Sequence, residues 1–488
     1  MSPAPGVLVA GTSSDAGKSL LVTGLCRAYA RRGLRVAPFK AQNMSNNSMV
    51  CADPSTGGWA EIGRAQYLQA QAARVEPSSL HNPVLLKPGS DRTAHVVVRG
   101  RPAGVLRAGE YATGRRHLAD AAFAAFAELA GSCDLVVCEG AGSPAEINLR
   151  SGDYVNLGLA DRFGLPVVVV GDIDRGGILA ALYGTWAVLD EPDRRLLKAF
   201  VINKFRGDPE VLQPGLDEIT RRTGVPFLGV VPWLEEVWLD SEDTLDPVRR
   251  PDRDALPTGP RLRVAVVRLP RVSNATDVDA LGGEPGVDVH LTADPRVVLD
   301  ADLVVLPGTR ATVSDLAWLE ARGLADAVRR RAASGRPVLG ICGGYQMLAT
   351  TIDDEVESTV GTVPGLGLLP VSIRFTADKV LGRPQGSWQG HPVHGYEIHH
   401  GAATVHGPAE PFLDGVRVGS VWGTMWHGTL ECDAFRRGWL TEVAAAAGVG
   451  WAPDPTAPAF ARRRETMIDL LADAVDEHID LDALLALR

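Results

Sequence analysis

Short, unbroken runs of valine, isoleucine and leucine recur along the chain, and stretches of helical character separate them. A half-exposed strand alternates apolar and polar residues, so these runs predict strands that are buried on both faces. Such strands belong to parallel sheets that helices cover on both sides. We therefore predict an α/β fold. The predicted strands are 7–10, 36–39, 135–138, 166–170, 199–202, 227–231, 262–267, 303–306 and 337–341.

The predicted strands fall into two series. The 488 residues exceed what one hydrophobic core organises, so more than one domain is expected. A charged, proline-rich stretch without periodicity separates the two series and predicts a linker. We predict a first domain at 1–245, the linker at 246–260, a second domain at 261–445 and a partly helical tail at 446–488.

The composition argues against several classes of partner. The formal net charge is −10, and diffuse negative charge disfavours nucleic acid or an anionic membrane as the main partner. No apolar run reaches the roughly 18–20 residues of a membrane-spanning helix, and residues 1–6 do not look like an export signal. Six cysteines without CxxC spacing fit reduced thiols. We expect a cytoplasmic protein that binds no nucleic acid or membrane and needs no obligate protein partner.

A glycine-bearing turn joins the first predicted strand to a helix predicted at 18–32. Backbone N–H groups in such a turn approach phosphate oxygens, and the helix N-terminus adds a positive dipole end. The lysine would contact the terminal phosphates and the serine would ligate Mg²⁺, so ATP and Mg²⁺ are the expected cofactors. The alternative is a plain connection with a glycine cap. The candidate ATP-binding residues of this loop are Gly11, Thr12, Asp15, Gly17, Lys18 and Ser19.

Three further candidates lie where predicted strands end. Glu139 is placed to hold Mg²⁺ together with Ser19, unless it only caps a turn. Asn203 can hydrogen-bond a purine edge or belong to an ordinary turn. Lys40 can neutralise phosphate or carboxylate charge or be a solvated surface lysine. We assign Ser19 and Glu139 to the metal, and we add Lys40 and Asn203 to the candidate ATP site.

A cysteine lies between glycines in the second half of the chain. Cys342 stands at a predicted strand-to-helix turn, a geometry that exposes a nucleophile and favours the thiolate. A lone buried cysteine is usually inert packing, but Gly-Ile-Cys-Gly-Gly after an apolar strand is much more specific. The N–H groups of Gly343 and of Gly308, which follows an earlier strand, are candidates for an oxyanion hole.

A thiolate nucleophile needs a base, and His427 is the expected one. A purely structural histidine is the alternative. Metal binding by another histidine cluster is a weaker interpretation, because that cluster lacks partner cysteines and a helical His-x-x-x-His spacing. The cluster consists of His391, His394, His399 and His400.

Both halves resemble the cobyric acid synthases, a family of glutamine-hydrolysing enzymes of cobalamin biosynthesis. The resemblance runs from Val7 to about Asp482. It implies a P-loop-type, parallel-sheet ATP-binding domain similar to dethiobiotin synthetase, with five residues between Gly11 and Gly17 where the usual loop has four. It further implies a class I glutamine amidotransferase domain with a flavodoxin-like α/β fold. The matching blocks are the phosphate loop, 38–45, 61–66, 171–177, 203–208, the Cys342 elbow and 394–399.

The resemblance also implies a reaction. Adenosylcobyrinic acid a,c-diamide and L-glutamine would be the substrates, and the b, d, e and g carboxylates would become amides. ATP would convert each carboxylate, a poor electrophile, into an acyl phosphate that ammonia displaces. Glutamine would supply the ammonia through a Cys342 thioester, with proton transfers by His427. Asp172, Asp174 and Arg175 are candidate corrinoid-binding residues by their position after a strand.

One position departs from the wider class I pattern, in which a glutamate two residues after the histidine orients it. Here that position is Thr429, and Glu431 lies two residues further on. Cobyric acid synthases are similar in keeping the cysteine and histidine without that glutamate. We expect a Cys–His pair whose orienting group the sequence leaves open, with Glu431 as an outside candidate.

Two alternatives stay open. Cobyrinic acid a,c-diamide synthases have a similar two-domain plan but amidate the a and c groups, and blocks 42–45 and 171–177 favour the cobyric acid synthases. A P-loop ATPase of the partition or metal-chaperone type would fit the first half alone. Such an ATPase has no use for the Cys342 elbow.

Overall fold

The computed structural model describes residues 5–90, 93–107, 116–235, 237 and 259–488. The predicted linker, 246–260, lies outside the described residues except for its last two positions. The described chain forms two compact units. The first takes in 5–45, the described part of 51–239 and 465–488, and the second takes in 46–50 and the described part of 240–464. The domain boundaries given above stay a prediction.

Apart from the consecutive strands within 36–63 and 84–107, strands and helices alternate through the first half of the chain, as its apolar runs predict. The strands are β1 (Gly6–Gly11), β2 (Val36–Phe39), β3 (Gln42–Met44), β4 (Ser48–Ala52), β5 (Trp59–Gly63), β6 (Val84–Ser90), β7 (Thr93–Val98), β8 (Arg101–Arg107), β9 (Leu135–Glu139), β10 (Val167–Asp172), β11 (Leu197–Phe205) and β12 (Phe227–Pro232). The helices are α1 (Lys18–Arg31), α2 (Arg64–Ala72), α3 (Arg116–Ala130), α4 (Leu157–Phe163), α5 (Ile178–Val188), α6 (Glu191–Arg194) and α7 (Pro209–Thr223).

A parallel sheet forms the centre of the first unit, in the order β12-β11-β10-β1-β9-β2. One apolar cluster joins it to α3, α4, α5 and α7, and a second joins it to α1 and α2. Because parallel strands end at the same edge of a sheet, this order gathers the loops that follow β1, β9, β10 and β11. A mixed sheet, β3-β6-β7-β8, precedes α3 in the chain, and the apolar runs did not predict it.

The second unit has its own sheet, in the order β14-β13-β15-β16-β25-β24-β23, parallel from β14 to β25 and antiparallel beyond. The strands are β13 (Leu262–Val267), β14 (Val287–Thr292), β15 (Leu303–Leu306), β16 (Val338–Ile341), β17 (Thr351–Asp354), β18 (Gly361–Pro364), β19 (Val371–Gly382), β20 (Gln385–Trp388), β21 (His391–His394), β22 (Glu397–Val405), β23 (Glu410–Phe412), β24 (Gly415–Val418) and β25 (Val421–Thr424). The helices are α8 (Asp279–Gly283), α9 (Pro295–Asp300), α10 (Thr312–Ala321), α11 (Leu324–Ala333), α12 (Gly343–Leu348) and α13 (Asp433–Ala447).

The chain ends with α14 (Phe460–His478) and α15 (Leu481–Ala486). From Glu465 onward this segment belongs to the first unit, where its apolar residues join the same cluster as α1. The predicted α/β class, with helices covering parallel sheets, is confirmed. No helix within the described residues combines the length and apolar character that a membrane crossing requires.

Candidate active sites

Cys342 lies at the turn between β16 and α12, and its backbone is strained. Its φ of 51° and ψ of −109° lie outside the usual regions for a residue with a side chain. The turn is tightly packed, since a Cβ on Gly344 would lie 1.9 Å from the carbonyl oxygen of Leu306. The Cys342 N–H donates to the Thr424 oxygen at 2.8 Å, which anchors the turn to β25. The structure thus holds this thiol in an elbow, as the flanking glycines predict.

The His427 ring is buried, with one face stacked on an aromatic ring and one ring nitrogen hydrogen-bonded to a carboxylate. It stacks on Tyr396 with ring centroids 5.2 Å apart. Its Nδ1–H donates to Asp277 Oδ2 at 2.6 Å, and Cys342 lies close enough to raise the pKa of the ring. Cys342, His427 and Asp277 therefore form a connected series in which the imidazole lies between a thiol and a carboxylate.

The charges around His427 favour its protonated form. Burial alone would lower the pKa of His427, but the charges of Asp277 and Cys342 raise it to about 10. The thiolate is the nucleophilic form of a cysteine, and a protonated imidazole can donate a proton. The arrangement can therefore attack a carbonyl carbon and donate a proton to a leaving nitrogen.

Asp277 was missed by sequence reasoning because no local pattern marks it. It lies in a 3₁₀ turn, Ala275–Val278, and its Oδ1 accepts the Gly428 N–H at 2.8 Å. The turn is fixed further by Asn47, a residue of the second unit, whose Oδ1 accepts the Ala275 N–H at 3.2 Å. The open question of what orients His427 is answered here by a carboxylate from a distant turn.

Glu431, the outside candidate for that role, has a different partner. Its two carboxylate oxygens accept from the Arg464 guanidinium at 2.8 and 3.0 Å. The carboxylate that contacts His427 Nδ1 belongs to Asp277 instead.

The two predicted oxyanion-hole glycines lie next to this series. A Cβ on Gly308 would lie 2.9 Å from His427 Cε1. A Cβ on Gly343 would lie 2.9 Å from the Thr309 nitrogen, in the loop that contains Gly308. The structure brings both glycines to the same place as the thiol and the imidazole. Their role as donors stays a prediction.

The phosphate loop lies between β1 and α1, and Asn203 closes it from the side. Lys18 Nζ donates to the Ser13 oxygen at 2.8 Å and to the Gly142 oxygen at 3.3 Å. Gly17 has a φ of 92°, and a Cβ there would lie 1.9 Å from Asn203 Nδ2. Asn203 Nδ2 in turn donates to the Ala16 oxygen at 3.1 Å. The candidate residues Gly17, Lys18 and Asn203 therefore form one compact loop region.

Three polar side chains donate hydrogen bonds to Glu139 at the end of β9. Ser19 Oγ and Lys40 Nζ each donate to its Oε1 at 2.8 Å, and Gln69 Nε2 donates to its Oε2 at 2.5 Å. Burial would raise the pKa of Glu139, but the charge of Lys40 and the hydrogen bonds from Lys40, Gln69 and Ser19 together lower it, so the group is a carboxylate. Gln69, which sequence reasoning missed, lies on α2 and carries no recognisable pattern.

The donor set around Glu139 fits Mg²⁺. The ion takes oxygen ligands and is usually held by one or two carboxylates together with phosphate oxygens and water. Ser19 Oγ and Glu139 Oε1, 2.8 Å apart beside the phosphate loop, are ligands of that kind. No group of three or more His, Cys, Asp or Glu side chains able to hold a metal occurs in the part of the chain that the structure describes. The predicted ligands, Ser19 and Glu139, stay a prediction.

The histidine cluster is divided between two strands. His391 and His394 lie in β21, whereas His399 and His400 lie in β22. The His399 Nδ1–H donates to the Gly401 oxygen at 2.8 Å, and burial lowers the pKa of His399 to about 4.

The three candidate corrinoid-binding residues lie after β10 and are engaged in ion pairs. These pairs involve the phosphate loop and the end of β11, so the residues lie beside the candidate ATP site. Their role toward a corrinoid stays a prediction. The pairs are Asp172–Lys204 at 2.7 Å, Asp174–Arg206 at 3.5 Å and Arg175–Asp15 at 3.9 Å.

Both halves of the chain match known protein families. Residues 7–248 match the CobQ/CobB/MinD/ParA nucleotide binding domain, and residues 263–435 match the CobB/CobQ-like glutamine amidotransferase domain. The chain is 62% identical to the cobyric acid synthase of Cutibacterium acnes over 486 residues, 99% of each chain. It is 57% identical over 484 residues to that of Mycolicibacterium gilvum, with 99% of this chain and 96% of the relative covered. The relative from Mycobacterium tuberculosis is 56% identical over 487 residues, with the same coverage.

Proposed function

This chain belongs to the cobyric acid synthase family, and we propose that it amidates the b, d, e and g carboxylates of adenosylcobyrinic acid a,c-diamide. Members of the family are glutamine-hydrolysing ligases of cobalamin biosynthesis. A corrinoid and glutamine are therefore the substrates of this chain. ATP is proposed as the nucleotide that the first domain uses. The observation that carries the proposal is the series Cys342–His427–Asp277, present in one chain with the phosphate loop.

In the glutaminase half, the Cys342 thiolate attacks the side-chain amide carbon of glutamine. The N–H groups of Gly308 and Gly343 donate hydrogen bonds to the carbonyl oxygen and stabilise the negative charge that develops on it. The His427 imidazolium gives its proton to the departing nitrogen, so ammonia leaves and a thioester remains. The neutral imidazole then takes a proton from the water that hydrolyses the thioester to glutamate. Asp277 occupies Nδ1 throughout, which leaves Nε2 for these proton transfers.

In the synthetase half, a corrinoid carboxylate attacks the γ-phosphorus of ATP, which gives an acyl phosphate and ADP. Ammonia attacks the acyl carbon, phosphate leaves, and the amide forms. The loop N–H groups and Lys18 balance the negative charge of the phosphates. Lys18 Nζ exchanges its present carbonyl acceptors, Ser13 and Gly142, for phosphate oxygens.

Ser19 and Glu139 would hold Mg²⁺ at this site. When bound, the ion would neutralise charge on the β- and γ-phosphate oxygens. Lys40 compensates the charge of Glu139 and Gln69 holds its second oxygen, so the carboxylate is oriented before a nucleotide arrives.

Mass spectrometry of the corrinoid after incubation with ATP and glutamine tests the proposal. We expect four successive small mass decreases from the a,c-diamide, each from replacement of OH by NH₂. Turnover of undiamidated cobyrinic acid alone would instead assign the chain to the a and c positions. Absence of glutamine hydrolysis with ATP and corrinoid present would reject the glutaminase half of the proposal.

A further inference from the structure

A cavity of about 120 Å³ lies beside the phosphate loop in the first unit. Asn203 at the end of β11, Trp233 just after β12 and Leu20 in the first turn of α1 line part of it. A further part of the wall comes from the far end of the chain, where Leu471, Ala474 and Val475 of α14 line the cavity. The lining is mostly apolar, and Asn203 and Lys204 are its polar members.

The wall that α14 contributes is firmly fixed to α1. A Cβ on Gly24 would lie 2.8 Å from the Leu471 oxygen, so the two helix backbones touch where α1 has a glycine. Acidic residues at helical spacing on α14 also pair with arginines of α1, and the Arg27 side chain among them is only 3% exposed. The pairs are Arg27–Glu465 at 2.7 Å, Arg27–Asp469 at 2.8 Å, Arg31–Asp473 at 2.5 Å and Arg32–Asp476 at 2.7 Å.

Two observations place the cavity beside the phosphate loop. Asn203 lines the cavity and also donates to Ala16 within the phosphate loop. Leu20 lies two residues after Lys18 on the same helix. A nucleotide whose phosphates bind the loop therefore carries its base toward this cavity.

We propose that the cavity binds the adenine base of ATP and that Leu471, Ala474 and Val475 of α14 form one wall of the base site. The inference rests on the proposed ATP-dependent function and adds the C-terminal helix to it. Apolar side chains suit the two faces of a purine. Asn203 uses one N–H for Ala16, so its amide retains a donor and an acceptor, the pattern that matches N7 and N6 of adenine. Guanine presents two acceptors at that edge.

Photolabelling of the full-length protein tests the location. After irradiation with 8-azido-ATP, trypsin releases residues 465–488 as one peptide, because no lysine or arginine interrupts it. We expect label in that peptide or in the one that contains Trp233, and excess ATP should prevent it. Label confined to other peptides would overturn the proposal. Labelling and its competition by ATP do not require amidation, so this readout stays valid if the corrinoid assignment fails.

Filling the cavity tests the function of the wall. Ala474→Trp should raise the KM for ATP roughly tenfold or more and leave the KM for glutamine unchanged, since the new ring occupies the space of the base. Glu477→Trp places the same ring on the exposed side of α14 and should leave both constants unchanged. Thermal unfolding checks that both variants fold, and Leu471→Ala provides a milder change if Ala474→Trp does not. A folded cavity variant with an unchanged KM for ATP, or with a raised KM for the corrinoid alone, would overturn the proposal.

Discussion

His427 donates its Nδ1–H to Asp277 Oδ2 at 2.6 Å, although 150 positions separate the two residues in the chain. Both side chains are almost completely buried, at 1% and 3% exposure. A buried carboxylate that accepts this proton fixes the tautomer and orientation of the ring, as the third member of a catalytic triad does. Asp277 thus makes the carboxylate contact to the ring that Thr429, two residues after His427, cannot provide.

We expect Asp277→Asn to lower kcat for glutamine hydrolysis by roughly 10²- to 10⁴-fold. The substitution removes the carboxylate that fixes the tautomer of the ring and compensates its positive charge. The KM for glutamine should change little, since Asp277 contacts His427. Steady-state glutaminase assays measure both constants. Glu431→Gln is the matched control, because its carboxylate pairs with Arg464, and it should retain activity. The reverse ranking of the two variants would return the orienting role to Glu431.

The stability of the protein should depend on pH through His427. Burial lowers its pKa, but Asp277 and Cys342 raise it overall from 6.5 to about 10. Folding therefore favours the protonated ring, and this contribution is complete below the unfolded pKa of about 6.5 and is lost as pH rises through the folded pKa. Denaturant unfolding across that range should show a steeper loss for the wild type than for Asp277→Asn. Parallel profiles for the two proteins would contradict the ion pair.

Cys342→Ala should abolish amidation with glutamine but leave amidation with high concentrations of ammonium chloride. The variant lacks the nucleophile that forms the thioester, whereas the phosphate loop is unchanged. Amide formation on the corrinoid is the measurement. Cys133→Ser, which alters a half-buried thiol of the first unit, should retain both activities. Loss of the ammonium-dependent reaction in Cys342→Ala would indicate a structural role for this cysteine.

Lys40→Met should destabilise the first unit by about 3 kcal/mol, because the Glu139 carboxylate loses its partner in a buried site. Glu139→Gln in the same chain should restore part of that loss, since a neutral amide needs no countercharge. Urea unfolding of the two single variants and the double variant gives the coupling energy. Additive effects would mean that the pair at 2.8 Å contributes nothing measurable.

The parallel sheets could be predicted because their strands are buried on both faces. The strand at 36–39 and that at 303–306 have the predicted bounds, since each coincides with its apolar run. The segment with β3 to β8 was not predicted, because short strands in mixed sheets lack such runs.

The sites divide in the same way between local and distant features. Cys342 and the phosphate loop carry their geometry in adjacent residues, so glycines at fixed spacing identify them. Asp277 and Gln69 reach their partners only through the fold, and neither has a neighbouring pattern. The tail was predicted as helical, whereas its packing on α1 involves an apolar cluster and ion pairs between residues that are more than 400 positions apart.

Tracing nitrogen from glutamine to the corrinoid tests the central claim that one chain couples a Cys342 glutaminase to carboxylate amidation. The wild type, given ATP, adenosylcobyrinic acid a,c-diamide and glutamine labelled with ¹⁵N in its side-chain amide, should yield a product with four ¹⁵N amides. Cys342→Ala should incorporate ¹⁵N only when it is supplied as ammonium. An unchanged a,c-diamide, or label from glutamine in the Cys342→Ala product, would contradict the account.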